Sequence, residues 1–217
     1  MQKNLYKNSY DLLQNDLKNK ILLLDGAMGT MIQQENLTAD DFGGEKYEGC
    51  NDYLVLQKPD VIKNIHKKYL EAGSDIIETN SFGALDIVLK DYDLEDTVFE
   101  MNKKAAELVN EAITEYRSEH PEVKRNLYVA GALGPSNKSI SVTGGVTFEE
   151  LIHTYYTAVS GLMAGGVDLI LFETIQDTRN LKAAYLGLKK AMEENYTVPL
   201  MLSFTIESTG TTLAGQD

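Results

Sequence analysis

Cysteine is almost absent from this sequence, which contains only Cys50. A single thiol excludes a disulfide within the chain, and a metal site of several cysteines cannot be built from these residues. Because low cysteine usage is typical of the reducing cytosol, we expect a cytoplasmic protein. Cys50 lies between turn-forming residues in the segment EGCNDYL, which predicts a free thiol near the surface.

Long apolar runs and basic clusters are missing too. The first 20 residues have no apolar core of signal-peptide length. No later run approaches the roughly 20 apolar residues of a membrane span. The chain has 20 basic and 33 acidic residues, a net charge of −13, and its basic residues are dispersed. We therefore expect neither export nor a membrane span, and nucleic acid is a poor partner because it requires clustered Lys and Arg.

The sequence does contain a regular alternation of apolar runs and helical patterns. Helices are predicted after Pro59, from about Leu94 to Tyr116, after a capping box of Thr147 and Glu150, and over about 178–194. Runs rich in Ile, Leu and Val are typical of strands buried on both faces, and they occupy residues 21–25, 74–80, 126–134, 167–174 and 198–205. This alternation predicts an α/β protein with a parallel sheet.

Two architectures fit the alternation, an open doubly wound sheet and a (β/α)8 barrel. A barrel requires eight strands, so the five predicted strands would leave an unpaired edge. We therefore expect the chain to be a fragment of a larger domain.

In both architectures the active site lies at the carboxyl ends of the strands. Polar residues, glycines and a proline occur at these ends: Asp25, Gly26, Glu78, Thr79, Asn80, Gly134, Pro135, Glu173, Thr174, Ser203 and Thr205. Asp25 and Glu173 stand out because each ends an otherwise apolar strand. The two carboxylates could hold a ligand ammonium, act as an acid/base pair as in glycosidases, or simply cap the turn and helix that follow.

The glycines and histidines give weaker signals. Gly26 and Gly29 lack the spacing of the dinucleotide fingerprint, which argues against nucleotide binding. His66, His120 and His153 lie on predicted helices or at a helix end, and we expect them at the surface.

Several long segments, in the same order, resemble the homocysteine-binding domain of cobalamin-dependent methionine synthase. They are LLLDGAMGTMIQ (22–33), NDYLVLQKPDVIKNIHKKYLEAGSDIIETNSFGA (51–84), VAGALGPSNKS (129–139), GVDLILFETIQD (166–177) and PLMLSFTIESTGTTLAGQ (199–216). The resemblance implies a (β/α)8 TIM barrel, of which residues 1–217 form the amino-terminal portion, truncated after about five strands. It also implies that homocysteine is the substrate, methylated to methionine.

The resemblance further implies which residues surround the amino-acid end of homocysteine. Asp25 and Glu173 would orient the substrate ammonium, and backbone after Asp25 would approach the substrate. The complete set of implied substrate-binding residues is Asp25, Gly26, Ala27, Met28, Thr79, Asn80 and Glu173.

The chemistry of the family requires groups that this chain lacks. Zinc converts the thiol to a nucleophilic thiolate, and in the family three cysteines of later strands hold it. We therefore expect no catalytic residue and no metal ligand here, with Cys50 a tolerated variant and the zinc ligands downstream. Methylcobalamin would be presented by another domain, so the implied partners are the folate- and cobalamin-binding domains of the same full-length chain.

Two alternatives remain open. The methyl donor could be betaine or S-methylmethionine without cobalamin, although GAMGTMIQ and SFTIESTGTTLAGQ favour the cobalamin branch. In a different class, the chain is an inactive α/β fragment that self-associates through its unpaired strand edge.

Overall fold

The computed structural model describes residues 7–217. Their α-helices are α1 (Lys7–Asn19), α2 (Met28–Gln34), α3 (Leu54–Gln57), α4 (Pro59–Ala72), α5 (Asp86–Leu89), α6 (Val98–Glu119), α7 (Phe148–Gly165) and α8 (Thr178–Glu194). Their strands are β1 (Ile76–Glu78), β2 (Tyr128–Leu133), β3 (Leu169–Ile175) and β4 (Leu200–Phe204). Short 3-10 helices occupy Ala39–Phe42, Glu45–Tyr47, Asn51–Tyr53, Lys90–Tyr92 and Glu95–Thr97.

The strands form one parallel sheet in the order β1-β2-β3-β4, with α6, α7 and α8 in the successive crossovers. The predicted parallel α/β sheet is thereby confirmed. Each strand pairs with the next in the chain, without the reversal of order that defines a doubly wound sheet. The described sheet therefore progresses in one direction, as strands do in a barrel.

The first predicted strand, residues 21–25, is reduced to a single bridge between Leu24 and Ile76. The Asp25 N–H donates to the carbonyl of Ile76 at 3.0 Å, and the Ile76 N–H donates to the carbonyl of Leu23 at 3.0 Å. This segment runs parallel to β1 along one edge. Five strands were predicted, and the described residues form four. The prediction was wrong for the first run, because Leu24 is its only residue that forms a bridge to a neighbouring strand.

The prediction that the strands are buried on both faces is also wrong at the two edges of the sheet. Ile21 is 87% exposed and Leu202 is 43% exposed, whereas β2 is buried along its whole length. The central strands have a neighbour on each side, and the edge segments do not. The apolar composition of a run therefore predicted burial correctly only in the middle of the sheet.

The helix boundaries follow their capping residues. α4 begins at Pro59 and ends before Gly73, which has a positive φ of 107° that an L side chain rarely adopts. α7 begins with the predicted capping box, in which the Thr147 N–H donates to Glu150 at 2.7 Å and the Glu150 N–H donates to Thr147 at 3.2 Å. The capping-box prediction is confirmed.

The two faces of the sheet have different partners. Alternate strand residues such as Ile77, Val129 and Ile170 pack in a large core with the crossover helices. Ile76 and Leu169, on the other face, pack in a small cluster with Leu13 of α1. Helix α1 therefore covers part of the second face, and the Asp16 carboxylate accepts a hydrogen bond from Tyr128 Oη at 2.8 Å.

Helices α6 and α7 pack so closely that glycine is required between them. A Cβ at Gly161 would lie 2.4 Å from the carbonyl oxygen of Phe99, and one at Gly165 would lie 2.3 Å from that of Lys103. Both distances are shorter than van der Waals contact. These two glycines, one turn apart on α7, set the separation of the helices.

Two side chains expected at the surface are buried. His66 is 0% exposed because it lies four residues from both Ile62 and Leu70, on the inward face of α4. Cys50 is 3% exposed and packs in the large core. Burial, with a smaller effect of Asp52, raises the pKa of the Cys50 thiol to about 11. Both surface predictions were wrong.

Within residues 7–217, the helices are all too short or too polar to span a lipid bilayer.

Candidate functional site

A cavity of about 390 Å³ opens where the Leu24 segment, β1 and β3 end. Its lining residues are Asp25, Gly26, Ala27, Met28, Gly29, Glu78, Thr79, Asn80, Phe82 and Glu173. All seven residues predicted to bind substrate are among them. Segments separated by up to about 150 residues are thus brought together at the carboxyl edge of the sheet, where α/β proteins place their ligands.

Asp25 joins the first segment to the end of β1. Its Oδ2 accepts a hydrogen bond from the Glu78 backbone N–H at 3.1 Å, and its Oδ1 is buried without a partner among the described residues. Burial raises the pKa of Asp25 to about 8, with further contributions from the nearby carboxylates of Glu78 and Glu173. The side chain therefore bonds across to β1 and does not merely cap its own turn.

Glu78 is a third carboxylate of the cavity. Ile76 and Glu78 lie two residues apart on β1, so they share the face that carries the small cluster around Leu13. Burial, followed by the charge of Glu173, raises the pKa of Glu78 to about 7. Burial also raises the pKa of Glu173. Three acidic groups thus oppose one another's ionisation.

Glu173 is presented by an irregularity in β3. Phe172 pairs with Leu202 and Ile175 with Phe204, so that Glu173 and Thr174 together face one residue of β4. Thr174 has a φ of +55°, which is costly for a β-branched residue. A bulge of this kind redirects side chains at the edge of a site. The helix that follows is capped by Asp177 and not by Glu173, so the simple capping interpretation of Glu173 does not hold.

The glycine-containing segment after Asp25 is held in place by Tyr69 of α4. Tyr69 Oη donates to the carbonyl of Ala27 at 3.2 Å, and its ring would lie 3.3 Å from a Cβ at Gly26. Gly26 and Ala27 are exposed and Met28 is half-buried. Small residues therefore leave the backbone of this segment accessible from the cavity.

Thr79 and Asn80 use their polar groups within the protein. Thr79 Oγ1 accepts from the Ala132 N–H at 2.9 Å and shares a hydrogen bond of 2.6 Å with Ser81. Asn80 Nδ2 donates to the carbonyl of Asn51 at 2.8 Å. These side chains fix the loop after β1 and so shape the wall of the cavity.

Three residues that line the cavity were not predicted to bind substrate: Glu78, Gly29 and Phe82. Phe82 is 44% exposed at the cavity, and a Cβ at Gly134 would lie 2.5 Å from its ring. The signal for Glu78 was present, because it stands among the strand-end residues. Its importance depends on which face of β1 it occupies, and the sequence alone did not reveal that face.

A second hydrogen-bond network, centred on Asp177, connects loops at the carboxyl ends of the strands. The Asp177 carboxylate accepts from Ser139 Oγ at 2.6 Å, the Ser141 N–H at 3.0 Å and Gln216 Nε2 at 3.3 Å. Burial by itself would raise the pKa of Asp177, but these hydrogen bonds outweigh it and lower the pKa to about 2. One ionised side chain thus connects the loops that follow β2, β3 and β4.

The described residues do not fit a metal. They contain no group of three or more His, Cys, Asp or Glu side chains with the proximity needed to hold an ion. Cys50 lies in the core, and its raised pKa keeps it a neutral thiol. The carboxylates of the cavity therefore do not form a metal site among the described residues.

Comparison with known proteins gives matches along nearly the whole chain. The sequence model of the homocysteine S-methyltransferase family matches residues 22–217. Crystal structures of the homocysteine methyltransferase MmuM from Escherichia coli are similar in fold. The oxidized form is 24% identical with a TM-score of 0.76, over 96% of this chain and 69% of that one. The metallated form is 23% identical with a TM-score of 0.76, over 94% and 70% of the two chains.

Proposed function

This chain belongs to the homocysteine S-methyltransferase family, and from that premise we propose that its cavity binds the amino-acid end of homocysteine. The observation that carries the proposal is the convergence of Asp25, Glu78 and Glu173 on one cavity, with a buried oxygen of Asp25 left unpartnered among the described residues. A ligand ammonium placed in the cavity would offset the charge of the carboxylates that line it.

In this proposal the residues of the chain position the substrate. Asp25 and Glu173 contact the ammonium from two different segments of the chain. The two carboxylates therefore fix the position of the ammonium as well as balancing its charge. The accessible backbone at Gly26, Ala27 and Met28 lies beside the substrate, and Thr79 and Asn80 hold the wall. A role in positioning the substrate explains why Asp25 and Glu173 stand at the ends of apolar segments although neither simply caps the turn or helix that follows.

We further propose that the chain is part of a methionine synthase of the cobalamin-dependent type. The one-directional strand order supports an origin in a (β/α)8 barrel. The zinc ligands would lie downstream of Asp217, and folate- and cobalamin-binding domains of the same protein would deliver the methyl group. The long segments that resemble this branch of the family support the proposal.

The binding role of Glu173 is tested by Glu173→Gln. The substitution keeps the shape and removes the charge, so homocysteine affinity should fall by about tenfold or more, which corresponds to about 1.4 kcal/mol. Isothermal titration calorimetry under reducing conditions measures the change. Glu71→Gln, at an exposed position of α4, is the matched control and should leave affinity unaltered.

A second ligand makes this test specific for the ammonium. 4-Mercaptobutyrate is homocysteine without its amino group, and the wild-type protein should prefer homocysteine over it. Glu173→Gln should reduce that preference. An unchanged preference in the variant would remove Glu173 from the ammonium site.

The methyl donor is tested with the full-length protein that carries this chain. Methionine formation from homocysteine is measured with methylcobalamin, S-methylmethionine or betaine as the added donor. Turnover with methylcobalamin alone supports the methionine synthase type. Turnover with betaine or S-methylmethionine in the absence of cobalamin would contradict it.

A further inference from the structure

The cavity carries acidic groups from three segments and no basic group. None of its lining residues is Lys, Arg or His, whereas Asp25, Glu78 and Glu173 all belong to it. The other titratable group facing this set is Tyr69 of α4, whose hydroxyl already donates to the carbonyl of Ala27. The charge of three neighbouring carboxylates is therefore not balanced by any side chain that lines the cavity.

Asp25 is hydrogen-bonded to Glu78 through only one of its carboxyl oxygens, so the other oxygen is available to carry a proton. The Glu78 N–H occupies Asp25 Oδ2, so the backbone of one acid fixes the carboxyl group of the other. Asp25 Oδ1 is buried and has no hydrogen-bond partner among the described residues. A buried acceptor without a partner is costly when charged, and protonation removes that charge.

We propose that the Asp25–Glu78 pair holds one proton in the free site and that the ammonium group of the bound amino acid displaces it to solvent. This inference rests on the proposed function, because the displacing group is the ammonium of homocysteine or of its methylated product. The proton balance is simple. The ligand keeps all its ammonium protons, one O–H bond of the pair breaks, and one proton enters the buffer.

The acid strength of the pair agrees with this geometry. Burial and the neighbouring carboxylates raise the pKa of Asp25 to about 8, and burial with the charge of Glu173 raises that of Glu78 to about 7. Two interacting groups with such values share a proton near neutral pH. A cation bound between them favours both ionised forms and releases that proton.

Glu78 therefore acts as a positioning residue that makes amino-acid affinity depend on pH. Affinity should rise by about tenfold per pH unit between pH 7 and 8, where one proton must be displaced, and should level off as the pH rises further. Removal of the Glu78 charge lowers the pKa of Asp25, because the like charge beside it is gone. The pH dependence of Glu78→Gln should then be shallower.

The number of protons released is measured by calorimetry at pH 7.5 in buffers of different ionisation enthalpy. Methionine is the main ligand because it has no thiol to contribute a proton, and homocysteine is the second. We expect about half to one proton released per ligand bound by the wild-type protein. Glu78→Gln should release clearly fewer, and Glu71→Gln should match the wild type.

The outcomes separate the two proposals. Binding without proton release, or release that Glu78→Gln leaves unaltered, overturns the proton displacement and leaves the proposed function standing. If neither methionine nor homocysteine binds, the proposed function fails and the displacement fails with it. Carbon-13 carboxyl NMR of the free protein gives a further readout. Titration of the assigned Asp25 and Glu78 carboxyl groups above pH 6 supports the shared proton, and titration of both groups below pH 5 overturns it.

Discussion

His66 is buried on α4 with neither ring nitrogen hydrogen-bonded within the described residues. Burial lowers its pKa to about 3 from the ordinary value near 6.5, because the charged imidazolium has no compensating contact. The neutral ring is therefore retained on folding, and the unfolded chain binds the proton more tightly. Its effect on stability is absent above about pH 6.5 and grows as the pH falls toward 3.

Replacement of His66 by Leu should make the protein less sensitive to acid. At pH 5 the protonation of His66 in the unfolded chain should cost the wild type about 2 kcal/mol of unfolding free energy relative to pH 7.5. His66→Leu should lack that loss. Urea denaturation at the two pH values measures it, and the difference between proteins cancels the carboxylates common to both.

His153→Leu is the matched control, since His153 is exposed on α7. Its pH dependence should equal that of the wild type. Equal acid sensitivity of His66→Leu and the wild type would show that His66 is protonated without cost in the folded state.

At the scale of the elements, the contact between α6 and α7 depends on two glycines. Gly161→Ala should destabilise the protein by about 1–3 kcal/mol, because the added methyl would meet the carbonyl of Phe99 at 2.4 Å and force the helices apart. Chemical denaturation measures the loss. Ala164→Ser, at an exposed position of the same helix, should change stability by less than about 0.5 kcal/mol.

A stable Gly161→Ala variant would mean that α7 shifts along α6 without cost. Gly165→Ala tests the same contact independently and should behave alike, because its methyl would meet the carbonyl of Lys103.

The elements also show what sequence reasoning can and cannot reach. The ends of α4 and α7 were predictable because Pro59, Gly73 and the Thr147 capping box act locally. The reduced first strand was not, because strand pairing depends on residues far away in the chain. The burial of His66 was not predicted for a related reason. From sequence alone, a polar residue in the middle of an apolar helix face cannot be distinguished from one at the edge of that face.

The candidate site was predictable to a similar extent. Strand ends and the family resemblance together identified Asp25 and Glu173, which lie in one cavity. Glu78 was not predicted to bind substrate, because its role depends on which face of β1 it occupies. The strained backbone at Thr174 has no sequence signal, since threonine is common in regular strands.

At the scale of the whole molecule, apolar side chains are exposed along both edges of the sheet. Ile21 and Leu23 lie at one edge, and Leu202, Phe204 and Ile206 lie on or after β4 at the other. An exposed apolar strand edge favours pairing with another chain. We propose that the isolated chain self-associates through these edges.

Leu202→Lys should weaken that self-association by about tenfold or more, because a charged side chain at a strand edge opposes pairing. Light scattering at several protein concentrations measures it. Leu186→Lys, at a similarly exposed position of α8, should have little effect. A wild-type protein that stays monomeric at every concentration would contradict the proposal.

The Asp177 network has a consequence for every titration of this protein. Hydrogen bonds lower the pKa of Asp177 to about 2, whereas burial and neighbouring charges raise the pKa of Asp25 to about 8 and that of Glu78 to about 7. Asp177 therefore stays ionised throughout the pH range in which Asp25 and Glu78 change charge. The hydrogen bonds that Asp177 accepts from Ser139, Ser141 and Gln216 should therefore persist between pH 5 and 9, while proton occupancy at Asp25 and Glu78 changes ligand affinity.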